Sequence, residues 1–195
     1  MFRKVGDKMY DVIVVGGGHA GCEAANIAAK MGMNTLLLTI NKNNIADMPC
    51  NPSIGGTAKG IIVREIDALG GQMARITDQS AIQFRMLNRS KGAAMWSPRA
   101  QCDKSEFSRL WRRTLENTKN LYLWQDSVTE ILLDHTGEKV AVRGVKTRMG
   151  VEIECRRVVL TAGTFLGGLM HCGTNSAEGG RAGDEASHGI TEQLV

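Results

Sequence analysis

The chain has 195 residues, of which 43% are hydrophobic and 23% charged, and its formal net charge is +4 at pH 7. This composition is typical of a globular protein and argues against a disordered or fibrous chain. No apolar run approaches the roughly 20 residues that a membrane-spanning helix needs, so we expect no membrane association and a cytoplasmic location.

The first predicted element is a short strand over residues 12–15 that runs into a glycine cluster. Gly16, Gly18 and Gly21 satisfy the pattern G-x-G-x-x-G between this strand and an alanine-rich helix predicted over 19–31. The first glycine permits a tight turn, the second lets the backbone approach a diphosphate, and the third allows close helix packing. The helix start then offers amide groups and a positive dipole end to the phosphates. The motif predicts a dinucleotide site.

The second predicted strand, over residues 35–39, completes a parallel βαβ unit. A dinucleotide fold usually has Asp or Glu at the end of this strand, where the carboxylate binds the ribose hydroxyls. Here the sequence reads Leu38-Thr39-Ile40-Asn41, without a carboxylate. Thr39 or Asn41 could bind a ribose as a neutral group, so the motif leaves both FAD and NAD open.

The next segments predict a longer excursion and then a return to the sheet. Residues 41–56 form a loop rich in Asn, Pro and Gly, helices follow at about 58–69 and after Asp103, and Glu106 completes a capping box. Antiparallel strands are predicted over 128–133, 140–147 and 151–155, a further buried strand over 158–160, and the start of a helix within 187–195. This order favours FAD: it predicts an α/β, Rossmann-like FAD-binding domain, a parallel sheet with helices and a β-meander over about 128–156.

A basic stretch runs from Arg85 to Lys104. It contains Arg85, Arg89, Lys91, Arg99 and Lys104 against one acid, Asp103, and Phe84 and Trp96 are interspersed. A solvated basic face is one explanation, and contact with RNA phosphates is the other.

Several segments together resemble one family far more specifically than the glycine motif does. They are Gly16-Gly17-Gly18-His19-Ala20-Gly21, Cys50-Asn51-Pro52-Ser53-Ile54-Gly55-Gly56, Asp67-Ala68-Leu69-Gly70-Gly71, Ile82-Gln83-Phe84-Arg85-Met86-Leu87-Asn88, Arg99-Ala100-Gln101 and Gly180-Arg181-Ala182-Gly183-Asp184. From Tyr10 onward the chain resembles the N-terminal part of the MnmG (GidA) family, FAD-dependent tRNA uridine 5-carboxymethylaminomethyl modification enzymes.

The resemblance implies an enzyme that adds an aminomethyl or carboxymethylaminomethyl group to the 5-carbon of the wobble uridine of tRNA. FAD is the implied cofactor, NADH and methylene-tetrahydrofolate are co-substrates, and the GTPase MnmE is a partner of the homodimeric, cytoplasmic enzyme. Family members are roughly three times longer. We therefore expect residues 1–195 to be the N-terminal part of the FAD-binding domain, without the NADH-binding and C-terminal helical domains, and inactive alone.

The resemblance also implies site residues. Cys50 falls at the position of the family's first active-site cysteine, and a thiolate can add to carbon 6 of uracil and make the 5-carbon nucleophilic. FAD contacts are implied for Gly16, Gly17, Gly18, His19, Ala20 and Gly21, for Val128 through its backbone, and for Ser187 through its hydroxyl or backbone. Each of these residues also has an interpretation without a role in the site. Cys50 could be an inert cysteine, the His19 side chain could make no contact with the cofactor, Val128 could be an ordinary strand residue, and Ser187 could cap a helix.

The five cysteines are an odd number without a C-x-x-C pair, so we expect neither a disulfide framework nor a metal site. Three other functions remain open. A related folate-dependent tRNA methyltransferase shares the flavin fold, although the Cys50-Asn51-Pro52 segment argues against it. A general flavin-dependent reductase, which would need no RNA contact, is a more distant alternative. A non-catalytic module that binds a flavin nucleotide is the third.

Overall fold

The structure is a computed structural model and describes residues 9–194. Its strands are β1 Tyr10–Val15, β2 Thr35–Thr39, β3 Ser53–Gly55, β4 Ala81–Leu87, β5 Ser97–Cys102, β6 Leu121–Gln125, β7 Val128–Asp134, β8 Ala141–Thr147, β9 Glu152–Leu160, β10 Leu169–Cys172 and β11 Asn175–Glu178. Its α-helices are α1 His19–Lys30, α2 Lys59–Ala68, α3 Met73–Ser80 and α4 Lys104–Glu116. Over the described residues, every helix is too short or too polar to cross a membrane.

The main sheet has six strands in the order β6-β2-β1-β9-β8-β7. β6, β2, β1 and β9 pair in parallel, whereas β9, β8 and β7 form the antiparallel meander. The predicted fold class, a parallel sheet with helices and a meander, is confirmed. β1 lies inside the parallel part, and because neighbours cover it on both sides and both faces its residues 12–15 are buried.

β9 joins the two parts of this sheet. Its first residues pair with β8, with Glu154 opposite Gly144, and its remainder pairs with β1, with Leu160 opposite Val15. The prediction of two separate strands over 151–155 and 158–160 is wrong, because the strand continues through the exposed Arg156 between them. The second stretch is also not buried.

The two faces of the parallel strands carry separate cores. On one face Val14 packs in a cluster with Phe107 and Trp111 of α4. On the other, Ile13 packs with Val145 of the meander. Successive side chains of a strand point to opposite faces, so one short apolar run stabilises helices on one side and the meander on the other.

A second, antiparallel sheet has the order β3-β5-β4, and no sequence pattern predicts it. β3 lies within the loop predicted over 41–56, which also contains a short 3-10 helix, Lys42–Asn44. β4 is exposed along nearly its whole length, so it lacks the alternation of buried and exposed residues by which a strand is recognised.

The helix caps differ in part from expectation. Asp103 caps α4 as predicted, and its Oδ1 accepts a hydrogen bond of 2.8 Å from the Glu106 amide. The reciprocal half of the capping box is absent, because the Glu106 carboxylate binds Arg109 instead. Within the range 187–195, where the start of a helix is predicted, Ser187 bridges to Leu166 and a 3-10 helix, Thr191–Gln193, follows. Residue 195 lies outside the described residues.

Candidate functional site

The glycines of the turn between β1 and α1 exclude side chains for different reasons. Gly16 has φ +108°, and a Cβ there would lie 2.4 Å from the Thr161 carbonyl oxygen. A Cβ on Gly21 would lie 1.8 Å from the Gly16 carbonyl oxygen, so α1 packs directly against the turn. A Cβ on Gly18 would meet no atom within 4 Å, which leaves the backbone there open to a ligand.

A cleft of about 340 Å³ opens at the carboxyl ends of β1 and β2, where open α/β sheets bind their ligands. Five of the predicted cofactor residues line it: Gly16, Gly17, Gly18, Val128 and Ser187. The Ser187 hydroxyl donates to the Val128 carbonyl at 3.3 Å, so these two distant residues meet at one wall. No side chain caps the start of α1, so its first amides face the turn without a side-chain acceptor.

The other predicted residues of the motif, His19, Ala20 and Gly21, do not line the cleft. The His19 Nε2 donates to the Ala46 carbonyl at 3.2 Å, and the Ala46 amide donates to the Gly17 carbonyl at 2.8 Å. The His19 ring also packs edge-on against Phe107, with 5.7 Å between ring centroids. These contacts hold the loop that carries Cys50 against the glycine turn.

Burial lowers the pKa of His19 below its ordinary value of 6.5, although the bond to the Ala46 carbonyl opposes the shift. The unfolded chain therefore binds this proton more readily than the folded chain. We expect the thermal midpoint to fall as the pH drops below about 6.5, and His19→Gln, which retains a donor, should remove this part of the dependence. Melting curves across this pH range measure it. Exposed His171→Gln is the control, and equal slopes for wild type and His19→Gln would contradict the expectation.

Cys50 lies exposed in the loop before β3, between Pro49 and Pro52. It does not line the cleft itself, but its neighbour Pro49 does. Both prolines restrict the backbone, and the Cys102 amide donates to the Pro52 carbonyl at 2.7 Å. The thiol is therefore presented to solvent by a restrained loop at the edge of the cleft.

The remaining cysteines lie elsewhere. Cys22, Cys102 and Cys155 are buried, and burial raises the pKa of the Cys155 thiol to about 11. A buried, protonated thiol is inert at neutral pH. Cys172 is exposed on β10. Within the described part of the chain, no three His, Cys, Asp or Glu side chains gather so that they could hold a metal ion.

Arg181 closes one side of the cleft, a role for which the sequence carries no separate signal. Its guanidinium pairs with Asp47 at 2.7 Å and with Asp184, and it lies 5.8 Å from the centre of the Phe165 ring. Asp47 also pairs with Lys104 at 3.3 Å. This network ties the glycine-rich segment near Arg181 to the loop that carries Cys50.

The cleft is lined by an acidic residue that comes from a different strand than the one where the dinucleotide motif places it. Asp126 follows β6, which is the neighbour of β2, and it lines the cleft together with Thr39 and Asn41. The Asp126 amide donates to the Thr39 carbonyl at 3.0 Å. Only the sheet order reveals it, because β6 is remote from β2 in the chain.

Comparison with known proteins agrees with this geometry. Residues 11–195 match the family model "Glucose inhibited division protein A". The tRNA uridine 5-carboxymethylaminomethyl modification enzyme MnmG of Porphyromonas gingivalis is 62% identical over 185 residues, which cover 95% of this chain and 29% of that protein. MnmG of Bacteroides thetaiotaomicron is 58% identical over 189 residues, covering 97% and 30%.

A solved structure supports the same relationship. Aquifex aeolicus GidA superposes with a TM-score of 0.90 at 46% identity, over 97% of this chain and 31% of that one. The chain thus spans 29–30% of the length of these two curated relatives. Because the family model matches nearly the whole chain, and both sequence and fold agree, the chain belongs to the glucose inhibited division protein A (GidA) family.

Proposed function

We propose that this chain is the FAD-binding part of an enzyme that adds a (carboxymethyl)aminomethyl group to the 5-carbon of the wobble uridine of tRNA. The observation that carries the proposal is the open backbone at Gly18, which faces a cleft at the uncapped start of α1. The two curated relatives named above, 62% and 58% identical, are tRNA uridine modification enzymes.

The residues present fit FAD. The diphosphate would lie against the glycine turn, where amides and the helix dipole favour an anion. Thr39, Asn41 and Asp126 line the same cleft and offer polar groups to ribose hydroxyls. When bound, FAD would supply oxidation and reduction chemistry. The chain's own contribution is to bind and orient that group.

Cys50 is the proposed catalytic residue. Its thiolate would form a bond to carbon 6 of the uracil ring, and the electron pair displaced from the 5,6 double bond would make carbon 5 nucleophilic. After substitution at carbon 5, loss of the carbon 5 proton would expel the thiolate and restore the ring. Its exposure and the restraint from Pro49 and Pro52 suit this role.

The proposal extends to the whole enzyme of which the relatives are examples. NADH and methylene-tetrahydrofolate would be co-substrates, the GTPase MnmE a partner, and the working form a cytoplasmic homodimer. Residues 1–195 would be the N-terminal part of the FAD-binding domain. We propose that they are inactive without the rest of the enzyme.

Gly18→Val tests the cofactor site. The backbone of Gly18 is extended, with φ −73° and ψ −176°, so valine is tolerated, but its side chain would project into the space proposed for the diphosphate. We expect FAD affinity to fall at least about tenfold, while the free energy of unfolding changes by no more than about 0.5 kcal/mol. Flavin fluorescence titration and chemical denaturation measure the two quantities.

Gly137→Val is the matched control, because this glycine is exposed in the turn between β7 and β8 and the nearest atom to a Cβ there would be the Lys139 carbonyl oxygen at 3.7 Å. Its FAD affinity should equal that of the wild type. FAD binding that survives Gly18→Val would remove the basis of the proposed function.

A further inference from the structure

Two arginines face each other on the three-stranded sheet. Arg85 of β4 lies directly opposite Arg99 of β5, and Gln83 lies opposite Gln101 on the same face. Like charges in directly opposite positions destabilise a sheet. Neither arginine has an ion-pair partner among residues 9–194. We call this side of β4 and β5, with Arg85, Arg99, Gln83 and Gln101, the arginine face.

The connection between β4 and β5 adds further cations. Arg89 and Lys91 lie in its first 3-10 turn, both exposed, and likewise have no ion-pair partner in the described part of the chain. The sequence contains no Asp or Glu between Asp78 and Asp103. The strand pair and its connection thus carry four cations without an acid in the same segment, two of them directly opposite each other, which favours an anionic ligand.

An aromatic ring lies beside these cations. Trp96 is 47% exposed, and its indole Nε1 donates to the Arg89 carbonyl at 3.2 Å, which holds the ring in place. Exposed aromatic rings next to unpaired cations are typical of surfaces that bind single-stranded nucleic acid. Phe84, which the sequence groups with Trp96, points to the opposite side of β4, because it is the residue next to Arg85 and successive side chains of a strand alternate between its two faces.

The arginine face leads towards Cys50. Gly55 of β3 lies opposite Arg99, and the Gln101 Nε2 donates to the Asn51 Oδ1 at 3.4 Å. Asn51 is the residue after Cys50. A nucleotide bound at the thiol would therefore have its neighbouring phosphates near the arginine face.

We propose that the arginine face, together with Arg89, Lys91 and Trp96, binds the sugar–phosphate strand of a single-stranded RNA loop and guides it to Cys50. This inference rests on the proposed function in tRNA modification. RNA suits the arginine face better than a protein partner does. The four side chains that define this face are cations and amides, and none of them is acidic or apolar. The opposite side of β4, with Ile82, Phe84 and Met86, is the apolar one.

The double variant Arg85→Gln, Arg99→Gln tests the proposal in the full chain. The probe is a fluorescein-labelled RNA stem–loop with uridines in the loop, followed by fluorescence anisotropy over a salt series. We expect affinity at low salt to fall about tenfold and the slope of log K against log salt to decrease by about two. The thermal midpoint should stay equal or rise, because a repulsion is removed, whereas residues with a merely structural role would lower it.

Two further variants sharpen the test. Lys119→Gln with Lys139→Gln removes the same charge from exposed positions that also have no ion-pair partner within residues 9–194, and RNA affinity should stay within about twofold. Trp96→Leu should lower RNA affinity about tenfold and leave the salt slope unchanged, because stacking rather than phosphate contact is lost.

Three results would overturn the inference. Equal losses in the arginine and lysine variants would mean that only overall charge matters. A wild-type chain that binds FAD but no RNA would refute this surface and leave the proposed flavin site standing. Unchanged RNA affinity together with an altered sedimentation coefficient of the arginine variant would assign the surface to a protein interface.

Discussion

Cys50→Ser should abolish uridine modification in a full-length GidA-family protein that carries this chain, while flavin stays bound. Cys50 is exposed and does not line the cleft, so the substitution leaves the proposed FAD contacts intact. A serine hydroxyl is a far weaker nucleophile than a thiolate, and loss of a positioned acid or base alone costs roughly 10²–10⁴-fold in rate. We expect a fall of at least about 100-fold, measured by mass spectrometry of nucleosides from modified tRNA.

Cys172→Ser is the matched control for this prediction. Cys172 is also an exposed free cysteine, but it lies at the end of β10 and does not line the cleft. The control should modify tRNA at the wild-type rate. Normal modification by Cys50→Ser would end its assignment as the catalytic residue, whereas loss of flavin from that variant would point to a structural role.

Gly21→Ala should destabilise the chain strongly, although alanine is the better helix former. Propensity alone favours alanine by about 1 kcal/mol. A Cβ at this position, however, would lie 1.8 Å from the Gly16 carbonyl oxygen and 2.7 Å from the Thr161 Oγ1. α1 would have to move away from β1, so we expect the free energy of unfolding to fall by about 2–4 kcal/mol, measured by chemical denaturation.

Gly18→Ala is the control, because the same substitution three residues earlier meets no atom within 4 Å. Its stability should match the wild type within about 0.5 kcal/mol. A stable Gly21→Ala variant would show that the turn can widen at little cost, and the close packing of α1 on the turn would then have no energetic importance.

The βαβ unit was predictable because its signals are local. The apolar run before Gly16, the helix pattern after it and Gly32 at the helix end, where φ is +89°, all act within a few residues. The meander was predictable for the same reason, since alternating apolar residues and glycine turns mark its strands. Its last strand was divided wrongly, because Arg156 breaks the apolar pattern while the backbone pairing continues through it.

The second sheet and the walls of the cleft were not predictable from these patterns. β4 is an exposed strand whose pairing depends on β5, and the ion-pair network around Arg181 joins it to Asp184 of the same turn and to Asp47 of the distant loop that carries Cys50. The pairing of Arg181 with Asp47 joins residues that are far apart in the chain, and the exposed β4 carries no alternation of buried and exposed residues, so no local period or cap announces either feature.

By itself, the sequence determined the glycine turn, the parallel unit that presents it, the family and the choice of Cys50 as a candidate, because each depends on short motifs with their own backbone requirements. The tertiary structure alone decided that Ser187 meets Val128, that the His19 ring contacts the loop before Cys50 and lies outside the lining of the cleft at the glycine turn, and that Arg85 stands opposite Arg99. The physical reason is that strand order and side-chain direction bring these groups together, and both are properties of the whole sheet rather than of any one segment.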